Sequence, residues 1–239
     1  LKSILKKELN SFFGSPIAYL VIGVFLLVNG LFLWVFKDNF NILNAGYADL
    51  NSFFYLAPWL FLFLVPAITM KSFADEFHIG TIEILKTKPI TNWQIVVGKF
   101  LACLLLIVIA LLPTLTYVYT IKELGNPKGN LDTGSLLGAY FGLLFLASSY
   151  TAIGLFTSTL SKNQIVAFIL GIVISFFMFY GFDAIADLLT NSNYYVRYFG
   201  FNEHFKSISR GVIDTRDLVY FVSITFLFLF ITKTRLENE

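Results

Sequence analysis

The stretch KSFADEFHIGTIEILKTKPITNWQIVVGK, residues 71–99, lies between two apolar blocks, and its reading decides the fold. Residues 71–79 continue as a helix from the apolar block before them and stop at Gly80, a residue type that ends helices at little steric cost. Thr81 caps a second short helix, and Asp75, Glu76 and Glu83 supply acidic groups around the break. Lys88-Pro89 closes that helix, because the residue before a proline is pushed out of the helical region. Thr91-Asn92-Trp93-Gln94 has the pattern of a capping box, with Ile90 and Ile95 in the flanking staple positions. Helix, break, helix, break, helix describes a rigid bracket projecting from a membrane. Trp93 is expected at headgroup level, where the next apolar run begins.

The rest of the chain supplies the membrane part. Of 239 residues, 57% are hydrophobic and 13% charged. A soluble domain carries about 25% charged residues, so this chain lacks the charge to coat a globule, and lipid must cover the surplus apolar surface. Aromatics reach 18%, mostly Phe, which suits lipid-facing helices and interfacial belts. Six apolar runs are predicted to cross the bilayer, at about 17–36, 52–70, 100–120, 134–160, 165–182 and 218–232. A span needs roughly 20 residues. The last run is short and is expected either to borrow residues on its entry side, with Arg216 snorkelling, or to sit in a locally thin bilayer. The predicted fold is therefore an all-α polytopic membrane protein, a single domain over residues 1–239.

Residues 1–13 precede the first span as an amphipathic helix. Leu1, Ile4, Leu5, Leu9, Phe12 and Phe13 share one face, and Lys2, Lys6, Lys7 and Asn10 the other. Such a basic helix is expected to lie in the headgroup plane. Span one is read as a retained signal-anchor, since its apolar run is too long for a cleaved leader. Six spans put both termini on one side, which holds ten Lys and Arg against seven opposite. That bias places the termini, and the 71–99 bracket with them, in the cytoplasm.

Within the spans, Gly134, Gly138 and Gly142 form one ladder of small residues, and Ala167, Gly171 and Ser175 another. Such ladders let helices or subunits approach closely. Ser148, Ser149 and Thr151 are candidates for hydrogen bonds between helices. Asn29 is the strongly polar mid-span residue, and it either lines a pathway or bonds a neighbouring helix. The aromatic cluster Tyr194, Tyr195, Tyr198 and Phe199, and the short helices after it, are expected at the opposite interface.

Several function classes are excluded or weakened. A net charge of +2 gives no basis for nucleic-acid binding. Cys103, the one cysteine, reads as a small apolar residue. His78 and His204 are isolated and have no ligand partners at metal spacing. The span centres carry no ionisable group of the kind that proton- or ion-coupled carriers place there. Ser148 and Ser149 have no base at their depth, so a membrane hydrolase lacks its machinery. No phosphate-binding G-x-x-x-x-G-K-[ST] motif occurs: Gly98-Lys99 is followed by Phe100.

The bracket also carries a resemblance. Glu76-x-x-x-Gly80-Thr81-x-Glu83-x-Leu85 and Thr87-Lys88-Pro89 resemble the signature after the second span of ABC-2 type permeases. The phrase Phe205-x-Ser207-Ile208-x-Arg210-Gly211-Val212-Ile213-Asp214 is similar to the segment before the last span of smaller bacterial members. Over its full length the chain most resembles the gliding-motility-associated permease subunits, with copper-site-maturation permeases close behind. The resemblance implies an inner-membrane transport subunit that is not itself an enzyme and binds no cofactor directly. ATP and magnesium would sit on a separate ATP-binding subunit docked over residues 76–88, which include Asp75's neighbour Glu76 as well as Lys88. A second permease chain would complete a homodimer, and an accessory membrane protein is a further expected partner. A non-transporting scaffold of a motility or secretion apparatus is the alternative.

Overall fold

In the computed structural model the chain is helical, with no strand among the described residues, which are 1–44, 46–87, 89–189, 193–211 and 214–238, without the side chains of Ile84, Lys86, Asn193 and Tyr194. Lys88, Val212 and Ile213, read above for their motifs, lie outside this description. Six helical segments are long and apolar enough to span a membrane: Pro16–Val35, Asn51–Ile79, Asn92–Leu124, Thr133–Ser158, Gln164–Leu188 and Thr215–Asn238. The protein is a multi-pass all-α membrane protein.

The amphipathic helix α1 (Lys2–Phe13) leads into the first span, α2 (Pro16–Gly30), which ends in a wider π turn at Leu31–Val35. Pro16 sits in the first turn of α2, where its missing N–H costs nothing. The second span is α3 (Asn51–Thr69), which contains Pro58 and Pro66 and continues as α4 (Lys71–Ile79). After α5 (Thr81–Lys86), the third span runs as α6 (Asn92–Leu111), a turn at Pro113, and α7 (Leu115–Leu124). The fourth span, α8 (Thr133–Ser158), starts at Asp132, whose side chain accepts from the Gly134 and Ser135 N–H groups. The fifth is α9 (Gln164–Phe176), capped by Asn163 and leading through a π turn into α10 (Phe182–Leu188). Two short helices follow, α11 (Asn193–Arg197) and α12 (Phe201–Ser209), before the last span, α13 (Thr215–Asn238).

α8 is the axis of the bundle; α3, α6, α9, α12 and α13 all pack on it. The second, third and fourth spans form the interior, 56–61% buried, while the first, fifth and sixth are 22–28% buried and form the rim. Their outward side chains, such as Leu20, Ile169 and Val222, are large, apolar and exposed, as lipid contact requires. At one end of the bundle lie α1, the α4–α5 elbow, the turn at 159–163 and the end of α13. At the other lie the 37–50 loop, the 125–132 loop and α10 to α12.

The structure refines these expectations. The last span borrows residues on its entry side, as read, and on its exit side too: α13 is 24 residues long, begins at Thr215 and runs on to Asn238, beyond the apolar run. The buried Thr232 and Leu236 show why, since these turns pack on the bundle and propagate the helix. α12 packs one face onto the bundle. Phe201, Phe205 and Ile208 are buried against α8 because Gly138 and Gly142 leave room: a methyl group on Gly138 would meet the Ile208 carbonyl at 2.6 Å. Thr151 makes no bond between helices, donating to Ala147 of its own helix at 2.7 Å. Ser148 and Ser149 do bridge α8 to α13, through the Thr225 hydroxyl at 3.2 and 3.1 Å.

Candidate functional site: the elbow and its buried ion cluster

The elbow is set by local chemistry. α4 stops at Gly80, whose φ of +79° lies in the left-handed region that residues with a Cβ avoid. Gly80 is at once the end of α4 and the cap of α5, so the joint is one residue long. Thr81 is already inside α5 and makes no side-chain cap, contrary to the sequence reading; a single-residue joint leaves no separate cap position. The second break is as read. Thr91 accepts from the Gln94 N–H and Gln94 accepts from the Thr91 N–H, both at 3.3 Å, closing the capping box of α6. Trp93 stacks on Phe226 of α13, ring centroids 5.8 Å apart.

Behind the elbow is a cluster that the sequence reading missed. Lys99 is 1% exposed. Its ammonium donates to Glu8 at 2.8 Å and to the Ser72 carbonyl at 2.7 Å, and it pairs with Glu76 at 2.9 Å. All three of its protons therefore have an acceptor, the condition under which a buried ammonium is tolerated. The ion also lies 5.1 Å from the Phe73 ring centroid. Glu76 is shared, since its Oε1 also accepts from Lys7 at 2.8 Å. Burial alone would lower the Lys7 pKa; the hydrogen bond and charge of Glu76, followed by Glu8, outweigh this and hold it above its ordinary 10.5.

The cluster joins three elements distant in sequence: α1 through Lys7 and Glu8, the elbow through Glu76, and α6 through Lys99. Packing reinforces it. A methyl group on Gly98 would come within 2.8 Å of Ile4, so α1 rests directly on the α6 backbone. A fourth attachment comes from Asp75, which accepts from the Gln164 side chain at the start of α9.

The predicted site residues divide into two groups. Glu76 faces inward and is 12% exposed at its side chain. Asp75 is half-buried and Leu85 packs against the core. Gly80, Thr81, Glu83 and Pro89 are exposed, together with His78 and Ile79, and form the tip. Lys88 is outside the described residues. Of the ladder residues, Gly138 and Gly142 meet α12, and Gly171 meets Pro66 of α3 and Thr157 of α8. Gly134 lies beside its own cap, Asp132, and Ala167 and Ser175 are buried on the same face of α9 as Gly171. These contacts are within the chain. Asn29 is fully buried and donates to the Phe25 carbonyl of its own helix at 2.7 Å; its Oδ1 has no partner.

A signal for the missed cluster was present. Ile4, Glu8 and Phe12 recur every four residues, so Glu8 stands on the buried stripe of α1 and not on its polar face. A carboxylate on such a stripe calls for a buried cation, and Lys99 at the mouth of an apolar run answers it. At the opposite end, His204 is similarly engaged. Its Nδ1 is 2.6 Å from Asp217, its Nε2 donates to the Tyr198 carbonyl at 2.8 Å, and its ring stacks on Tyr220. These contacts tie α12 to α13.

A family model described as ABC-2 family transporter protein matches residues 4–198, from α1 through α11. The chain belongs to the ABC-2 transporter family. The match contains every element of the elbow and its ion cluster, while α12 and α13 lie beyond it. No curated protein matches the chain. As an ABC-2 family member, the protein is the membrane-spanning component of a transport system, a family role that implies an ATP-binding partner subunit.

Proposed function

We propose that this chain is the permease subunit of a bacterial inner-membrane exporter and that its elbow receives the stroke of a separate ATP-binding subunit. The observation that carries this reading is the division of the elbow into an exposed tip and a clamped root. The tip offers Ile79, 70% exposed, beside Thr81 and Glu83. A groove of about 500 Å³ next to it is lined by Phe77, Gly80, Ile82, Glu83, Lys162 and the 159–161 turn. The root is held by ions to α1 and α6 and by Asp75 to α9. A push at the tip is thus shared among three spans, since α4 also continues α3. ATP and magnesium bind on the partner in this reading, and closure of the ATPase pair tilts the elbow and rearranges the spans as rigid bodies.

In this reading the termini and the elbow are cytoplasmic. Two permease chains form a homodimer with the pathway between them, and Asn29 is a candidate pathway residue. The full-length likeness to gliding-motility permeases, including the segment before the last span, supports a motility-associated role. The test is co-purification with a candidate ATP-binding subunit co-expressed with this chain. Deleting residues 78–87 should abolish capture while the chain remains membrane-inserted. Undiminished capture by the deleted chain overturns the proposed docking site.

A further inference from the structure

Beside the ion cluster, between α1, the start of α2 and the α3–α4 junction, lies a cavity of about 500 Å³. Its wall combines hydroxyls (Ser11, Ser15), apolar groups (Ile17, Ile68) and charges. It sits at the edge of the apolar slab. Ser15 marks the step from the interfacial helix into the first span, and Ile68 and Lys71 mark the point where the second span ends. A molecule in it has its polar end among the charges and its apolar end toward the spans.

The charges specify the ligand. Three ammonium groups (Lys7, Lys71, Lys99) and three carboxylates (Glu8, Asp75, Glu76) line the cavity, so it is neutral overall. Lys7, Lys99 and Glu8 are consumed in the ion cluster, and Asp75 accepts from Gln164. Two valences remain. The half-buried Lys71 ammonium has no partner among the described residues, and Glu76 Oε2 is buried and accepts no hydrogen bond from the protein. The cavity therefore presents one free cation, and in its wall the Glu76 carboxyl holds one buried, unpartnered oxygen that a small turn of the side chain brings to the cavity. A ligand with one anionic and one cationic donor group satisfies both and keeps the site neutral, whereas a purely anionic ligand leaves Glu76 Oε2 desolvated and unpaired.

We infer that this cavity binds the headgroup of an aminophospholipid from the adjacent leaflet, its phosphate on Lys71 and its primary ammonium on Glu76 Oε2. The volume lies within the ~300–1,000 Å³ of small-molecule sites. A primary ammonium supplies the hydrogen bond that a buried carboxylate oxygen requires, and a trimethylated one has no proton to give. Because Glu76 also anchors the elbow, the lipid becomes part of the joint between α1 and the α4 root. The inference rests on the membrane-spanning fold and not on the docking of any ATPase.

The test is native mass spectrometry of the full chain, without nucleotide or partner. The chain is extracted from vesicles of equal phosphatidylethanolamine, phosphatidylcholine and phosphatidylglycerol and then exchanged through detergent. The expected result is one retained phosphatidylethanolamine, with each competitor about tenfold weaker, as the loss of one charge-assisted hydrogen bond implies. Lys71→Gln should lower retention by about the same factor, and Lys71→Arg should restore it. Equal retention of phosphatidylcholine and phosphatidylethanolamine by the unaltered chain, or preference for phosphatidylglycerol, overturns the proposal without recourse to any variant. Unchanged retention by Lys71→Gln also overturns it.

Discussion

Lys99 shows how much one side chain can be asked to hold. It is buried with all of its donors used, and all three of its acceptors belong to other elements, one to α1 and two to α4. Breaking a buried ion pair by removing one member typically costs about 3–5 kcal/mol, because the other member is left as an unpaired charge. Lys99→Met should therefore lower the thermal unfolding midpoint of the detergent-solubilised chain sharply. Adding Glu8→Gln to it should recover part of the loss, and the coupling in the double-mutant cycle should be clearly non-zero. Additive effects of the two changes would mean that the cluster does not act as a unit. Lys7 contributes differently. Its pKa is raised in the folded chain, so its stabilisation is complete below 10.5 and fades only as pH rises through the higher folded value. An unfolding midpoint measured against pH should accordingly show no loss attributable to Lys7 until strongly alkaline conditions, whereas Lys7→Gln should lower the midpoint throughout the range below pH 10.5 and abolish that alkaline fall. The cluster escaped the sequence reading because its partners from α1 lie far along the chain, Lys7 69 positions from Glu76 and Glu8 91 positions from Lys99. Periodicity reports which face a residue occupies but not which element arrives to meet it.

The elements themselves were largely legible. Each of the six apolar runs corresponds to one helical span, the second and third running on past it at the elbow end (to Ile79 and from Asn92), the capping box at Thr91 is made as read, and the elbow breaks at Gly80. What the sequence withheld was the partner of each surface. The Gly138 and Gly142 notches are obvious in the chain, but their occupant is α12, a short helix that is not one of the spans. Gly154 lay outside both ladders and yet leaves less room than any ladder glycine: a methyl group there would fall 2.1 Å from the Thr69 hydroxyl of α3. Gly154→Ala should therefore overpack the α3–α8 contact, at a cost of about 1–3 kcal/mol. Thr69→Ala in the same chain should relieve part of it, which paired thermal-unfolding measurements can read. The elbow makes a separate demand. Gly80→Ala places a Cβ in the left-handed region at about 1–2 kcal/mol. Nothing lies within 4 Å of that position, so the penalty is purely conformational. The variant should insert normally yet capture the ATP-binding subunit less well, because the angle between α4 and α5 is what presents the tip.

At the scale of the whole molecule, the arrangement requires that α1, the elbow, the 159–163 turn and the C-terminal end of α13 share one face of the membrane. A lever can transmit a stroke only if its tip and its anchors are on the side where the motor works. The chain offers a direct test, since its one cysteine, Cys103, is 1% exposed within α6 and should be silent toward aqueous thiol reagents. Single cysteines can therefore be introduced into the otherwise unaltered chain. Lys128 lies in an exposed loop at the end opposite the elbow, and Lys162 is exposed beside the elbow. Lys128→Cys should react with a membrane-impermeant maleimide in intact cells whose outer membrane has been permeabilised. Lys162→Cys should react only in inverted vesicles, where an added ATP-binding subunit should in turn shield it, because Lys162 lines the groove at the tip. Labelling of Lys162→Cys from the outside would place the elbow on the wrong face for any cytoplasmic ATPase, and the coupling role would fall with it. Labelling from the inside that the ATPase leaves unchanged would keep the topology and move the docking site away from the groove.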